Sequence, residues 1–264
     1  MTEFNFDAHL GNKKTNAISY SEFLTEFFER PSQYLHTSSS IIADSIRHFG
    51  YGISIRSGEP VVRYKVFSDP FSDGINASFG HEFSIERILD VVDSSDKESY
   101  INRGIVFAGP PSSGKTNIVD LTLKAMEEYS KESNVKLYSF YFEFEDKHTG
   151  EPIKFRPSFN HNPLLLIPVS IRIGGSTENP RKALFDHAAE VSGGNVDIPN
   201  YLKYATLDKN CLDIIEYAMR MGDISLFEVL TRYVKVEQIE LSISQGVGIA
   251  NIDDMNRLGI NKVP

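Results

Sequence analysis

Eight consecutive residues, Gly109-Pro110-Pro111-Ser112-Ser113-Gly114-Lys115-Thr116, carry the most specific chemistry in the chain. They match Gly-x-x-x-x-Gly-Lys-Ser/Thr in full, the pattern of a loop that cradles phosphates. A triphosphate is a dense anion, so a loop that grips it must supply several backbone N–H groups at close range. Gly109 and Gly114 allow dihedrals and an approach that a Cβ would block. The helix expected from Lys115 points its positive end at the phosphates. Lys115 can reach the β and γ phosphates as a mobile point charge. The Thr116 hydroxyl suits magnesium held through the nucleotide. Asn117 closes the expected binding set, and the expected ligand is ATP with magnesium.

Hydrolysis would also need a carboxylate that holds magnesium through water, usually at the end of a buried strand. Two stretches offer one. Tyr141-Phe142-Glu143-Phe144-Glu145-Asp146 ends a strand-like run in acids, but Glu143 alternates within it, which suits a solvated edge. Ile252-Asp253-Asp254 resembles the acidic motif of many ATPases, yet Asn251 interrupts the apolar run before it. No residue could be given a catalytic role. The seven histidines are scattered without ligand spacing, and the single cysteine, Cys211, sits on an apolar helical face that suits a core.

Composition narrows the partners. Hydrophobic residues at 41% and charged residues at 24% are ordinary for a globular chain and argue against wholesale disorder. A net charge of −9 lacks the positive field that non-specific nucleic-acid binding requires. Residues 1–10 do not read as a signal peptide, and the longest apolar stretch, Pro163 to Val169, is far too short to span a bilayer. The expectation is a cytoplasmic protein without membrane or nucleic-acid partners.

The elements that must position the loop are legible as periodicities. Phe23, Leu24, Phe27 and Phe28 form the face of one helix, with Ser19 or Ser21 as its cap and Pro31 at its end. Ile41, Ile42, Ile46 and Phe49 form a second, stopped by Gly50 and Gly52. Tyr51 to Phe67 reads as a hairpin turning near Ser57-Gly58-Glu59-Pro60. Ser68 to Ser78 reads as a linker, and Phe83 to Val92 as a helix. Gly104-Ile105-Val106-Phe107-Ala108 is a continuous apolar run, expected to be a buried parallel strand that feeds the glycine loop. A helix to about Tyr129 and a strand over Val135 to Phe144 continue a βαβ pattern. Glu151 to Pro168 reads as loop; Pro180 to Val191, Cys211 to Met221 and Leu226 to Tyr233 read as helices; Val234 to Ile243 reads as a strand. The expected fold is α/β, a P-loop NTPase core of AAA type with a parallel sheet and an N-terminal helical segment. The expected division is 1–78, helical segment and linker, and 79–264, an incomplete ATP-binding domain.

The order of these features resembles the N-terminal AAA-type ATP-binding region of the PrkA serine protein kinases. The likeness runs through Tyr20-Ser21-Glu22-Phe23-Leu24, Phe79-Gly80-His81-Glu82, the glycine loop, Asn162-Pro163-Leu164-Leu165-Leu166-Ile167-Pro168 and Gly246-Val247-Gly248-Ile249. It implies an ATP-binding module for phosphoryl transfer or hydrolysis, a protein substrate, and assembly of several copies. Departures are the Pro-Pro-Ser-Ser loop interior, a two-cysteine element reduced to Cys211, and an end at Pro264 before the family's acidic strand, sensor and arginine elements. The expectation is a fragment or shortened relative, in which only the nucleotide-binding role transfers to named residues. Two alternatives stand beside it. One is an AAA-type ATPase or a viral-type helicase, since Gly-Pro-x-x-x-Gly-Lys-Thr-Asn also occurs there. The other is a nucleotide-binding interaction protein that does not hydrolyse.

Overall fold

A computed structural model describes residues 17–96, 104–146, 148–174, 183–194 and 196–249. The chain is mixed α/β. It opens with β1 (Ile18–Ser19), α1 (Tyr20–Glu29) and α2 (Ser38–His48), followed by the hairpin β2 (Tyr51–Arg56) and β3 (Glu59–Tyr64). Two long helices come next, α3 (Glu82–Asp96) and α4 (Lys115–Tyr129), then strands β4 (Tyr138–Glu145) and β5 (Pro152–Phe155). Short helices α5 (Val169–Arg172), α6 (Leu184–Val191) and α7 (Asn200–Tyr204) lead to α8 (Lys209–Gly222), α9 (Leu226–Tyr233) and β6 (Val234–Gln238).

The larger sheet has the order β1-β6-β4-β5, and every ladder joining the described strands is antiparallel. This differs from the expected parallel sheet. The reason lies in the connections. β4 turns directly into β5 through Asp146, whose main chain exchanges hydrogen bonds with Gly150 and Glu151. Its other neighbour, β6, arrives straight from α9 and runs opposite to it. Neither side of β4 takes the run 104–108, which forms no strand and is exposed, with Val106 at 89%.

Local signals explain where the helices start. Ser19 caps α1 in a reciprocal box with Glu22: the Glu22 N–H donates to Ser19 Oγ at 3.2 Å and the Ser19 N–H donates to Glu22 Oε2 at 2.7 Å. Thr37 with Ser40 and Ser225 with Glu228 do the same for α2 and α9. The β2–β3 hairpin turns on Ser57 (φ 52°) and Gly58 (φ 87°), two left-handed residues whose twist suits the strands they join. Within the stretch expected to be loop, Pro152–Phe155 pairs as β5 and Pro163–Leu166 coils into a buried 3-10 turn.

Two cores follow. The larger surrounds the four-stranded sheet: Tyr20, Phe23 and Phe27 of α1 pack with Phe140 and Phe142 of β4, Leu164–Ile167, Leu202, Cys211 and Leu230. Each such side chain contributes about 1.5–3 kcal/mol of apolar burial. Tyr34 and Tyr138 stack at 5.4 Å, and both hydroxyls donate to Glu26 Oε2, at 2.9 and 3.3 Å. The second core joins Ala43 and Ile46 of α2, Val66 and Phe67, Ile85, Leu89 and Val92 of α3, and Ile118, Leu121 and Ala125 of α4. The two N-terminal helices therefore pack chiefly into different cores. Arg47 ties α2 to α3 through both oxygens of Asp93, at 3.1 and 2.5 Å.

The stretch 68–78 is not a loose linker. Asp69 is fully buried, its carbonyl accepts the Gly74 N–H at 2.9 Å, and its Oδ2 accepts the Asn76 N–H at 2.8 Å. The turn is thus wound tightly around one aspartate, against the helices that carry the glycine loop.

Candidate nucleotide-phosphate site

Helix α4 is the platform of the loop. Ile118, Leu121 and Ala125 bury one face of it among α2 and α3, which holds its first turn at the surface. Gly114 is its N-cap with φ 79°, a left-handed conformation that glycine adopts without a steric penalty. With no side chain to cap the helix, the first-turn N–H groups face whatever occupies the loop. A Cβ on Gly114 would lie 2.8 Å from His81 Nε2, so the His81 side chain would have to shift. A Cβ on Gly109 would lie 3.2 Å from Ser113 Oγ. Ser112 also takes a positive φ, 60°.

Lys115 folds back over this turn. Its Nζ donates to the Gly109 carbonyl at 2.9 Å, to the Pro110 carbonyl at 2.6 Å and to Ser113 Oγ at 2.8 Å. The ammonium therefore sits across the mouth of the loop. Pro110, Pro111, Ser112 and Thr116 are exposed, and Ser113, Gly114, Lys115 and Asn117 are half-buried. Asn117 faces inward: its Nδ2 donates to the Asn76 carbonyl at 3.3 Å, linking the helix to the Asp69 turn.

One flank of the loop was only partly legible in the sequence. Phe79, Gly80, His81 and Glu82 run past Gly114 into α3. Glu82 accepts from Arg56 of the hairpin at 2.7 Å, and the Arg63 guanidinium lies 4.6 Å from the Phe79 ring centre. The N–H at the start of α3 holds the Glu82 carboxyl below the ordinary carboxylate range, with help from the Gly80 N–H and Arg56 and against the effect of burial. Hairpin arginines thus reach the approach to the loop, a long-range pairing that no local motif announces.

The acidic candidates lie elsewhere. Glu143 pairs with Lys154 across the β4–β5 ladder at 3.4 Å, and Asp146 Oδ1 accepts the His148 and Thr149 N–H groups of the connecting turn. Glu145 ends β4 beside them. Among the described residues no ion pair or hydrogen bond joins any of the three to Lys115. Asp253 and Asp254 lie outside the described residues.

A second polar cluster was not anticipated. Asp208 Oδ2 lies 3.0 Å from His161 Nε2 and accepts from the Cys211 thiol at 3.3 Å, while its Oδ1 accepts the Cys211 N–H at 3.0 Å. Burial raises the Asp208 pKa, but the Cys211 amide and thiol together with His161 outweigh it, and the net shift is downward. The Cys211 thiol is pushed up to about 12, by burial first and by the Asp208 carboxylate second. A buried thiol held protonated is not a nucleophile. The cluster is a helix cap: Asp208 closes the N-terminus of α8 and is steadied by His161.

No protein-family model, no curated protein and no solved structure matches this chain. Among the described residues no helix is long and apolar enough to cross a membrane, and no group of three or more His, Cys, Asp and Glu could hold a metal ion.

Proposed function

We propose that Gly109 to Thr116 binds the phosphates of magnesium ATP, and that the chain is the nucleotide-binding module of a PrkA-like serine protein kinase. The observation that carries the first part is Lys115. One ammonium bonded to two carbonyls and a hydroxyl of its own loop, at the uncapped start of a fifteen-residue helix, is positioned to exchange those bonds for phosphate oxygens. A Cβ on Gly109 or Gly114 would press on Ser113 or His81, side chains that border the loop. Thr116 is exposed one residue into the helix, in position to offer its hydroxyl to magnesium held by the nucleotide. When bound, the metal neutralises phosphate charge; the residues of the chain supply positioning and counter-charge.

The AAA-type core and the kinase kinship rest on the order of motifs from Tyr20 to Ile249. The strand that such a core needs ahead of the loop would have to form from 104–108, which is exposed and unpaired here. The test is titration of the whole chain with a fluorescent ATP analogue in magnesium. Lys115→Ala is expected to weaken binding at least about a hundredfold, as the loss of a charge-assisted phosphate contact implies. Unchanged affinity would remove the loop as the site.

A second reading, nucleotide binding without hydrolysis, is favoured by one observation: Glu143, Glu145 and Asp146 are engaged in or beside the β4–β5 hairpin rather than with the loop. Phosphate release measured on the same preparation separates the two. Turnover abolished by Lys115→Ala supports hydrolysis; binding without turnover supports the second reading.

A further inference from the structure

The edge of the larger sheet farthest from β1 borders an open groove between the β4–β5 hairpin and α8. Its volume is about 1520 Å³. Sites for small molecules usually enclose roughly 300–1,000 Å³, so this groove suits a longer, chain-like occupant. Its floor is apolar. Phe144 packs against Tyr233 at 4.8 Å and against Phe155 at 6.0 Å, and Ile214 lies alongside.

Above this floor α8 shows water an unusual stripe. Asp213, Tyr217 and Met221 recur four residues apart on one side of the helix, and Tyr217 and Met221 are both 65% exposed. Such spacing normally marks a buried face. The opposite wall is acidic, with Glu143, Glu145 and Asp146. Lys154 compensates Glu143, but among the described residues no cation pairs with Glu145, Asp146 or Asp213. Among the described residues that line the groove, Arg232 is the one lysine or arginine, and its guanidinium lies 5.9 Å from the Tyr233 ring centre.

We propose that this groove is a docking site for a cationic amphipathic segment of a protein partner. Its apolar side chains would lie against Phe155, Tyr217 and Met221, and its lysines or arginines would face Asp213, Glu145 and Asp146. An apolar face bound in a groove, with complementary charge at the rim, is a recurring way of recognising a short helix. The inference is independent of nucleotide binding, since the glycine loop does not line the groove.

The test is fluorescence anisotropy of the whole chain with three fluorescein-labelled peptides: a Leu/Lys amphipathic helix, the same residues scrambled, and a Leu/Glu counterpart. The Leu/Lys helix is expected to bind best. Asp213→Lys and Tyr217→Ser, both exposed positions that the fold tolerates, should each weaken it about tenfold, a typical effect for a rim charge and an aromatic anchor. Glu59→Lys, an equal charge change on the β2–β3 hairpin, should alter it less than about twofold, because Glu59 does not line the groove and exposed charges are screened by salt. Circular dichroism confirms that each variant is folded. The proposal is overturned if the Leu/Lys helix does not bind, or if the scrambled or Leu/Glu peptide binds as well. It is also overturned if Glu59→Lys weakens binding as much as Asp213→Lys, or if the groove variants leave it unchanged.

Discussion

The sheet-centred core and the core beneath the glycine loop are built from different materials. The first buries large aromatic side chains from distant parts of the chain, with Tyr20, Phe23, Phe27, Phe140 and Phe142 all nearly inaccessible. The second is assembled mainly from aliphatic and small residues of three helices, with Val66 and Phe67 of the turn that follows the hairpin. Around it Ile75, Phe79, Phe83 and Val106 remain exposed. The proposed phosphate loop sits on the second. A loop that must wrap an anion needs backbone groups open to solvent, so it can contribute little burial of its own. The first core encloses the four-stranded sheet, and the second holds a helix end at the surface.

The contrast is broken most directly by truncating each region. Phe142→Ala should destabilise the fold by about 3–5 kcal/mol, whereas Val106→Ala should stay within about 0.5 kcal/mol, as judged by chemical denaturation. Similar losses at both positions would mean that the run 104–108 packs as a strand after all. Next in size is Arg172, a fully buried guanidinium that donates to the carbonyls of Leu202 and Ala205 at the end of α7. Burial lowers its pKa, and no carboxylate is among the groups acting on it. Arg172→Ala should cost about 3 kcal/mol, since two charge-assisted bonds are lost and buried carbonyls are left unpaired. A change below about 1 kcal/mol would show that water replaces the guanidinium.

Gly114→Ala probes the other region. A Cβ at φ 79° that also meets His81 should destabilise by about 1–2 kcal/mol and weaken nucleotide binding more than it lowers stability. Preserved binding would separate the glycine from the phosphate site.

The smallest effect concerns Cys211. Its folded pKa is raised to about 12 from an ordinary value of 9.0. A raised folded pKa favours the neutral thiol in the native state. That contribution is fully present below pH 9 and is lost as pH rises towards 12. Cys211→Ala should therefore flatten the decline in stability over that alkaline window, and the wild-type thiol should react slowly with a disulfide reagent at pH 8 until the chain unfolds. Rapid reaction in the native state would contradict the burial of Cys211.

Local elements were readable because their causes are local. The cap of α1, offered as Ser19 or Ser21, the Ser57-Gly58 turn and the apolar stripes of α1, α3, α4, α8 and α9 each follow from a few neighbouring residues. The glycine pattern likewise foretold a helix from Lys115, preceded by a residue whose dihedrals favour glycine. β5 was missed because Pro152-Ile153-Lys154-Phe155 is short, begins with proline and is exposed, so its pairing with β4 leaves no burial pattern to read. The linker reading of 68–78 failed because Ser, Asp, Gly and Pro are equally suited to a loose segment and to a turn tied around a buried aspartate.

Residue order alone dictated the longer helices, the cap of the first, the hairpin turn and the composition of the glycine loop, because each depends on interactions spanning only a few positions. Strand direction, the fate of 104–108, the meeting of Arg56 with Glu82, the burial of Arg172 and the groove beside α8 were decided only when distant segments packed. A continuous apolar run satisfies a parallel strand or an unpaired stretch equally well until its neighbours are known, and its neighbours are a property of the whole chain.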